Sequence, residues 1–264
     1  MSQEAINFDY IIVGAGSAGC VVANRLTEQS NYKVLLIEAG PEQNSLSLGA
    51  LNEKIPAACV ANLKNKKTNW LFEGAKEPYL DNRRLTHFRG KTIGGSSSIN
   101  GMVFIRGHAL DFENWQQLGC EGWSYSDVLP YFKKMEGYSA GGDQFRGTNG
   151  FTKVHRPTPT NALDLAFLKS GEEAGYPKTI DINGYKQEGF GVLDSTIFRG
   201  ERWSTARAYL DEVRKRSNLT VTVKCNVNKV LIENDKAVGV IYEDHQGRKI
   251  KALASKEVVL SAGA

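Results

Sequence analysis

What the chain is short of narrows it before any motif is read. In 264 residues no apolar run approaches the ~20 that a membrane-spanning helix needs, and the N-terminus lacks the charged-then-apolar layout of a secretion signal. Cys20, Cys59, Cys120 and Cys225 show no paired spacing of the zinc or redox kind. That argues against a metal module and a disulfide-built scaffold, and for reduced thiols in a cytoplasmic protein; no metal is expected. Histidine is equally thin: His87, His108, His155 and His245 are scattered, and none stands in a catalytic-base constellation. Charge of one sign is scarce as well, with a net of +4. Of the two short basic clusters, Lys64-Asn65-Lys66-Lys67 reads as a solvated loop, and Arg214-Lys215-Arg216 suits a helix C-terminus. Nucleic acid is therefore not an expected partner. The 41% hydrophobic and 23% charged residues are ordinary for a folded globular chain of one or two domains.

What the chain has is glycine, 27 of them, and their placement is informative. Asp9-Tyr10-Ile11-Ile12-Val13 reads as a buried parallel strand, and Gly14-Ala15-Gly16-Ser17-Ala18-Gly19 follows at once. Ala18, Val21, Val22, Arg25 and Leu26 then recur at helical spacing. A second apolar run, Val34-Leu35-Leu36-Ile37, ends in Glu38, nineteen residues after Gly19 (38 − 19). Each part has a mechanical job. Gly14 makes the tight turn, Gly16 lets backbone approach a pyrophosphate, and Gly19 lets helix and strand pack closely. The helix N-terminus offers unpaired N–H groups, and Glu38 can hold ribose hydroxyls while repelling a 2′-phosphate. The pattern is that of a dinucleotide site; it does not choose between NAD and FAD.

Beyond Glu38 the chain reads as loop, with Gly40-Pro41 and a Ser/Asn-rich stretch to about residue 52, then irregular structure to Arg89. Asp111 is placed to cap a helix carrying Phe112, Trp115 and Leu118 and ended by Gly119. Ser126 is placed to cap another, with Val128, Leu129 and Phe132 on one face. A longer helix fits Leu163 to Ala174, with Leu163, Ala166, Phe167 and Ala174 facing inward. Ser204 should cap a further one whose Ala206, Tyr209, Leu210 and Val213 form a buried stripe. After it Leu219-Thr220-Val221-Thr222-Val223 alternates as a strand. Three more strands, Val227 to Glu233, Ala237 to Tyr242 and Lys249 to Leu253, read as a meander. A separate apolar strand, Val258-Val259-Leu260, runs into Ser261-Ala262-Gly263-Ala264, small residues suited to a second approach to a dinucleotide. A parallel strand without a following crossover suggests a truncated chain.

A second glycine cluster decides the cofactor. Arg89-Gly90-Lys91-Thr92-Ile93-Gly94-Gly95-Ser96-Ser97-Ser98-Ile99-Asn100-Gly101-Met102-Val103 lacks the periodicity of a core element, and its glycines let backbone approach a planar ligand. Together with the opening motif it resembles the first signature of the glucose–methanol–choline family of FAD-dependent oxidoreductases. Asn69-Trp70 followed by Glu77-Pro78, Ile105-Arg106-Gly107 and Gly122-Trp123-Ser124-Tyr125 match the same family. Gln187-Glu188-Gly189-Phe190-Gly191 and Ser204-Thr205-Ala206-Arg207-Ala208-Tyr209-Leu210 look like its choline dehydrogenase branch.

The resemblance implies an α/β fold: a Rossmann-like FAD-binding domain, parallel sheet plus β-meander, with an inserted and here incomplete α+β substrate domain. It gives 1–150 with 219–264 to a discontinuous FAD-binding domain and 151–218 to the substrate region. Gly14, Gly16, Ser17 and Gly19 would line the FAD pyrophosphate, Glu38 would hold the adenosine ribose, and Ala39 and Trp70 would also meet the cofactor. Gly94, Asn100, Gly101, Met102 and Val103 would lie at the isoalloxazine, and the Val227 backbone at the adenine. The implied activity is oxidation of an alcohol CH–OH by hydride transfer to flavin N5, with a quinone-like acceptor or oxygen as electron sink. Location would be cytoplasmic or, for the intact protein, peripheral to a membrane. Two departures count. Family members that bind flavin covalently do so through a histidine where this chain has Ile99, so FAD should be non-covalent. The family's catalytic histidine lies in a C-terminal part that has no counterpart here, which leaves the catalytic residue unknown and feeble turnover expected of this chain. A hydroxynitrile-lyase-like FAD protein and a non-enzymatic dinucleotide-binding module remain as alternatives.

Overall fold

The computed structural model describes residues 5–29, 31–42 and 53–264, so most of the Ser/Asn-rich stretch expected after Pro41 lies outside the described residues. The chain divides into two compact units, Met1–Gly101 with Ser204–Ala264, and Met102–Trp203.

The first unit is built on a six-stranded sheet. Ile6–Val13 (β1) leads through the glycine turn into the helix Ser17–Leu26 (α1) and on to Val34–Ile37 (β2). Leu219–Thr222 (β3), Asn226–Glu233 (β4), Lys236–Glu243 (β5) and Lys249–Leu260 (β6) complete it in the order β3-β2-β1-β6-β5-β4. β3, β2, β1 and β6 run parallel, in registers that include Leu219↔Val34, Tyr10↔Val34 and Ile12↔Val259. β6, β5 and β4 then pair antiparallel. The end of β1, Ile11 to Val13, and all of β2 read as unbroken apolar runs because both faces of the parallel half are covered there: Ile11, Ile12, Leu35 and Leu36 are all buried. One face carries a core of Ile11, Val13, Leu35, Ile37, Val240, Tyr242, Ala252 and Ala254. On α1, Cys20 and Ala23 are buried, and the Asn24 amide donates to the Tyr209 carbonyl at 2.7 Å. The expected stripe of Ala206, Tyr209, Leu210 and Val213 is buried, although its backbone is a π-helical turn, Ala206–Leu210.

Two of the strands read separately from the sequence are one. Lys249–Leu260 is continuous, and it lies between β5 and β1 rather than at an edge. The polar Ser255-Lys256-Glu257 segment disguised it. A register shift between Phe8 and Tyr10 absorbs that segment, and the Ser255 hydroxyl donates to Asp9 Oδ1 at 2.8 Å.

The second unit has three helices. Ala109–Gln117 and Tyr125–Met135 each begin with a reciprocal capping box, on His108/Asp111 and Ser124/Asp127. The caps are thus His108 and Ser124, three and two residues before the expected Asp111 and Ser126; the acid sits at the third helical position and returns to the cap's backbone N–H. Ala162–Glu173 is capped by Asn161. Its expected inward residues Leu163 and Phe167 are 74% and 64% exposed. The buried position is Gly171, against the Phe190 ring. Short pairings of 136–138 with 152–154, and of 103–104 with 194–195, tie the unit together. Its centre is ionic: Arg106, Arg146 and Arg156 interlock with Glu136, Asp181 and Asp194. These ties cross position 150, so the unit boundaries fall at 101/102 and 203/204 instead of 150/151 and 218/219. Among the described residues no helix is long and apolar enough to cross a membrane.

Candidate functional site

The opening turn is shaped by what a side chain would strike. Gly14 has φ +96°, and a Cβ there would stand 2.5 Å from the Ser261 carbonyl oxygen. A Cβ on Gly19 would stand 1.9 Å from the Gly14 carbonyl oxygen, so turn and helix touch through bare backbone. Gly16 is different. Its φ of −77° is open to any residue, and the nearest atom to a Cβ is 3.9 Å away. Among the described residues none crowds a side chain at 16. The helix that follows has no side-chain cap and no acid in its first turn, which leaves its leading N–H groups and the positive end of its dipole for an anionic ligand.

The second glycine cluster docks on this turn. The Gly94 amide donates to the Ala15 carbonyl at 2.7 Å, and a Cβ on Gly95 would lie 2.7 Å from the Gly16 Cα. Ser97 Oγ secures the contact by donating to the Gly94 carbonyl at 2.6 Å and accepting from the Thr205 amide at 3.0 Å. Two clusters about eighty residues apart in sequence therefore form one surface.

That surface is the floor of a cavity of ≈ 860 Å³. Gly14, Gly16, Ser17, Glu38, Ala39, Trp70, Gly95, Ser96, Asn226, Val227 and Leu260 to Ala264 line it. A second depression of ≈ 820 Å³, near Lys224, His245 and Arg248, includes neither glycine cluster. Glu38, at the end of β2, is 6% exposed and holds backbone with both oxygens: Oε2 accepts from the Ala15 amide at 2.9 Å and Oε1 from Gly40 at 2.8 Å. Burial pushes its carboxyl above the ordinary value, and the N–H groups of Gly40, Ala15 and Ala39 pull against that rise. An ionised carboxylate has about four lone-pair sites, so acceptor capacity remains for hydroxyl donors.

Of the residues expected at a cofactor, Gly14, Gly16, Ser17, Glu38, Ala39, Trp70 and Val227 meet at this cavity. Gly19 and Gly94 support it from behind, through the contacts just described. Asn100 and Gly101 are exposed, while Met102 (φ +62°, buried) and Val103 open the second unit. None of these last four lines the cavity. Arg89 and Gly90, which open the second glycine cluster, line it as well, as do Phe72 and Asn226, which sequence reasoning missed. The small residues Ser261 to Ala264, singled out for their composition, do reach it. None of the four histidines lines it: the His108 ring, for one, accepts from the Leu110 amide at 3.2 Å as a helix cap. Among the described residues no group of three or more His, Cys, Asp or Glu side chains could hold a metal ion.

A family model described as GMC oxidoreductase matches residues 8–264. The chain belongs to the GMC oxidoreductase family. Within it, mitochondrial choline dehydrogenase of Mus musculus is 48% identical over 259 residues, 97% of this chain and 43% of that protein. Pyridoxine 4-oxidase from Mesorbium loti superposes with TM-score 0.89 at 32% identity, covering 98% of this chain and 50% of that one. An FAD-dependent oxidoreductase from Chaetomium thermophilum gives TM-score 0.86 at 31% identity, covering 97% and 46%. The chain spans less than half the length of the curated GMC relatives it matches.

Proposed function

We propose that this chain forms the FAD-binding part of an oxidoreductase that converts alcohol CH–OH groups to carbonyls, with a choline-dehydrogenase-like substrate class. One observation carries the reading: both glycine clusters and Glu38 face one cavity, whose ≈ 860 Å³ falls in the usual range for cofactor sites. The residues present fit the dinucleotide. A side chain at Gly16 would meet no crowding among the described residues and would instead take up space in the cavity that Gly16 lines. The uncapped N-terminus of α1 suits a pyrophosphate, Glu38 suits ribose hydroxyls, and the Val227 backbone, on the next wall, suits the adenine.

When bound, FAD would supply the redox chemistry, as the acceptor for a hydride from the alcohol carbon. The chain's own part would be to bind and orient: N–H groups of α1 on the phosphates, Glu38 on the sugar, and the backbone of Gly95 and Ser96 against the cofactor. Ile99 is 2% exposed and offers no atom for a covalent bond to flavin. We therefore expect the flavin to be non-covalent.

Incubation of the purified 264-residue chain with FAD, followed by desalting, tests the reading. Absorbance near ~450 nm should stay with the protein, and acid precipitation should give a white pellet under a yellow supernatant. A chain that leaves the column colourless overturns the flavin assignment; a yellow pellet overturns non-covalent binding. Since no histidine lines the cavity, choline should bleach the bound flavin slowly at best, and rapid anaerobic bleaching would show a base among the residues present.

A further inference from the structure

Part of the cavity lining belongs to an excursion of the chain that could not hold itself in place. Residues Phe72–Glu77 and Arg83–His87 pair as a two-stranded ribbon, and all but Gly74 are exposed. Such a ribbon is marginal alone, with little apolar surface to bury. Yet Trp70, Phe72, Arg89 and Gly90, at its two feet, line the cavity. The Trp70 and Phe72 rings stack there at 5.6 Å and 7°, and Lys91 Nζ lies 4.5 Å over the indole.

One buried side chain joins the feet. Asn69 is 2% exposed. Its Oδ1 accepts from the Leu71 amide at 3.1 Å and from the Arg89 amide, twenty residues along the chain, at 3.0 Å. Its Nδ2 donates to the Leu63 carbonyl at 2.8 Å, anchoring both feet to the preceding helix, Cys59–Leu63. The Trp70 amide to the Arg89 carbonyl, 2.9 Å, and the Lys91 amide to the Thr68 carbonyl, 2.8 Å, complete the closure. Leu71 is held at φ +50°, a left-handed backbone that leucine avoids unless its surroundings fix it. Joining two N–H donors and one C=O acceptor in a single buried side chain calls for one atom with two lone pairs beside a donor, which a carboxamide provides.

We propose that Asn69 is a positioning residue: it staples the two feet of the ribbon and so sets the Trp70–Phe72–Arg89 wall against which the nucleotide is held. The role rests on the flavin reading above. Asn69→Ala removes the staple without touching a lining side chain. Loss of a shared hydrogen-bond set should speed release of bound FAD about tenfold, the equivalent of about 1.4 kcal/mol. Asn69→Asp keeps the double acceptor, and when protonated the donor as well, so it should return release to within about threefold of the parent. Trypsin should cut the Asn69→Ala ribbon at Arg83 and Arg84 faster than the parent's, with and without flavin. A generally weakened fold would raise cutting at all sites and would not be rescued by aspartate.

The parent chain alone gives a further reading if the alanine variant does not fold. In flavin-free protein the Leu71 and Arg89 amides should exchange hydrogen slowly and in step, far more slowly than Leu80 to Arg84 at the ribbon tip. Unchanged flavin release in Asn69→Ala, or fast and unequal exchange at Leu71 and Arg89, overturns the proposal. A parent chain that takes up no FAD sinks the flavin reading, and with it the link to the nucleotide; the staple itself is then judged by cleavage and exchange.

Discussion

An alanine methyl affects Gly16 and Gly19 in opposite ways, though they stand three residues apart. At Gly19 alanine gains helix propensity of about 1 kcal/mol. It also places a methyl 1.9 Å from the Gly14 carbonyl oxygen, on backbone fixed by β1 and α1. The clash wins, and Gly19→Ala should lose about 2 kcal/mol or more in urea unfolding of the flavin-free chain. At Gly16 no atom lies nearer than 3.9 Å, so Gly16→Ala should stay within about 1 kcal/mol of the parent while binding FAD at least about tenfold more weakly. Equal stability losses in the two variants would mean that Gly16 has a reason inside the protein, and would remove the best local argument for a ligand there. The sequence motif named both glycines because their spacing is fixed by the turn. It already gave Gly16 to the ligand and Gly19 to helix–strand packing, but it could not say that Glu38 holds the Ala15 and Gly40 amides as well as facing the cavity.

Elements were legible where burial imposes a pattern on the sequence. Ile11 to Val13 of β1 and all of β2 are buried and spell uninterrupted Ile, Val and Leu, and the 206–213 stripe shows helical spacing for the same reason. On α1 the spacing points to the wrong face: Ala18 is exposed and Val21, Val22, Arg25 and Leu26 are half-buried, while Gly19, Cys20, Ala23 and Asn24 are buried. The ribbon was invisible, because strands exposed on both faces impose no alternation. β6 was split in two because Ser255 and Lys256 stand at its irregular register, where polar residues are tolerated. Helix starts were displaced for a chemical reason: Ser, Asp and His near a helix N-terminus can each be cap or reciprocal partner. The structure chooses Ser124, whose Oγ accepts from the Asp127 amide at 3.3 Å while Asp127 Oδ2 accepts from the Ser124 amide at 3.1 Å. Thermal unfolding should therefore show Ser124→Ala costing about 1 kcal/mol and Ser126→Ala at most a few tenths. A larger loss from Ser126→Ala would return the cap to Ser126.

For the whole molecule, the division at Gly101 and Trp203 follows from what each unit uses for a core. The first is apolar and read well from periodicity. The second is ionic, with Glu136, Arg146 and Asp194 almost fully enclosed, and its six charged residues, each ten or more positions from the next, give no periodic signal. Asp194 decides how that unit responds to acid. Burial raises its carboxyl, but the Arg156 and Arg146 guanidinium groups and the Asn183 amide outweigh it and hold the group below 3.8. With the folded value depressed, the unfolded chain takes up the proton first. The stabilisation is complete above pH ~4 and is lost as pH falls through the folded value. Asp194→Asn leaves two guanidinium groups short of a partner and should cost about 3 kcal/mol at pH 7. By pH ~2.5, below the unfolded-state value, the unfolded parent binds the proton that the folded parent resists, so the parent loses stability that the variant never had and the gap between them should narrow. Three of the four tryptophans, Trp115, Trp123 and Trp203, lie in this unit, so fluorescence in a Trp70→Phe background follows its unfolding alone. A gap of the same size at both pH values would show that shape, not charge, makes Asp194 necessary, and that the ionic centre is no more than close packing.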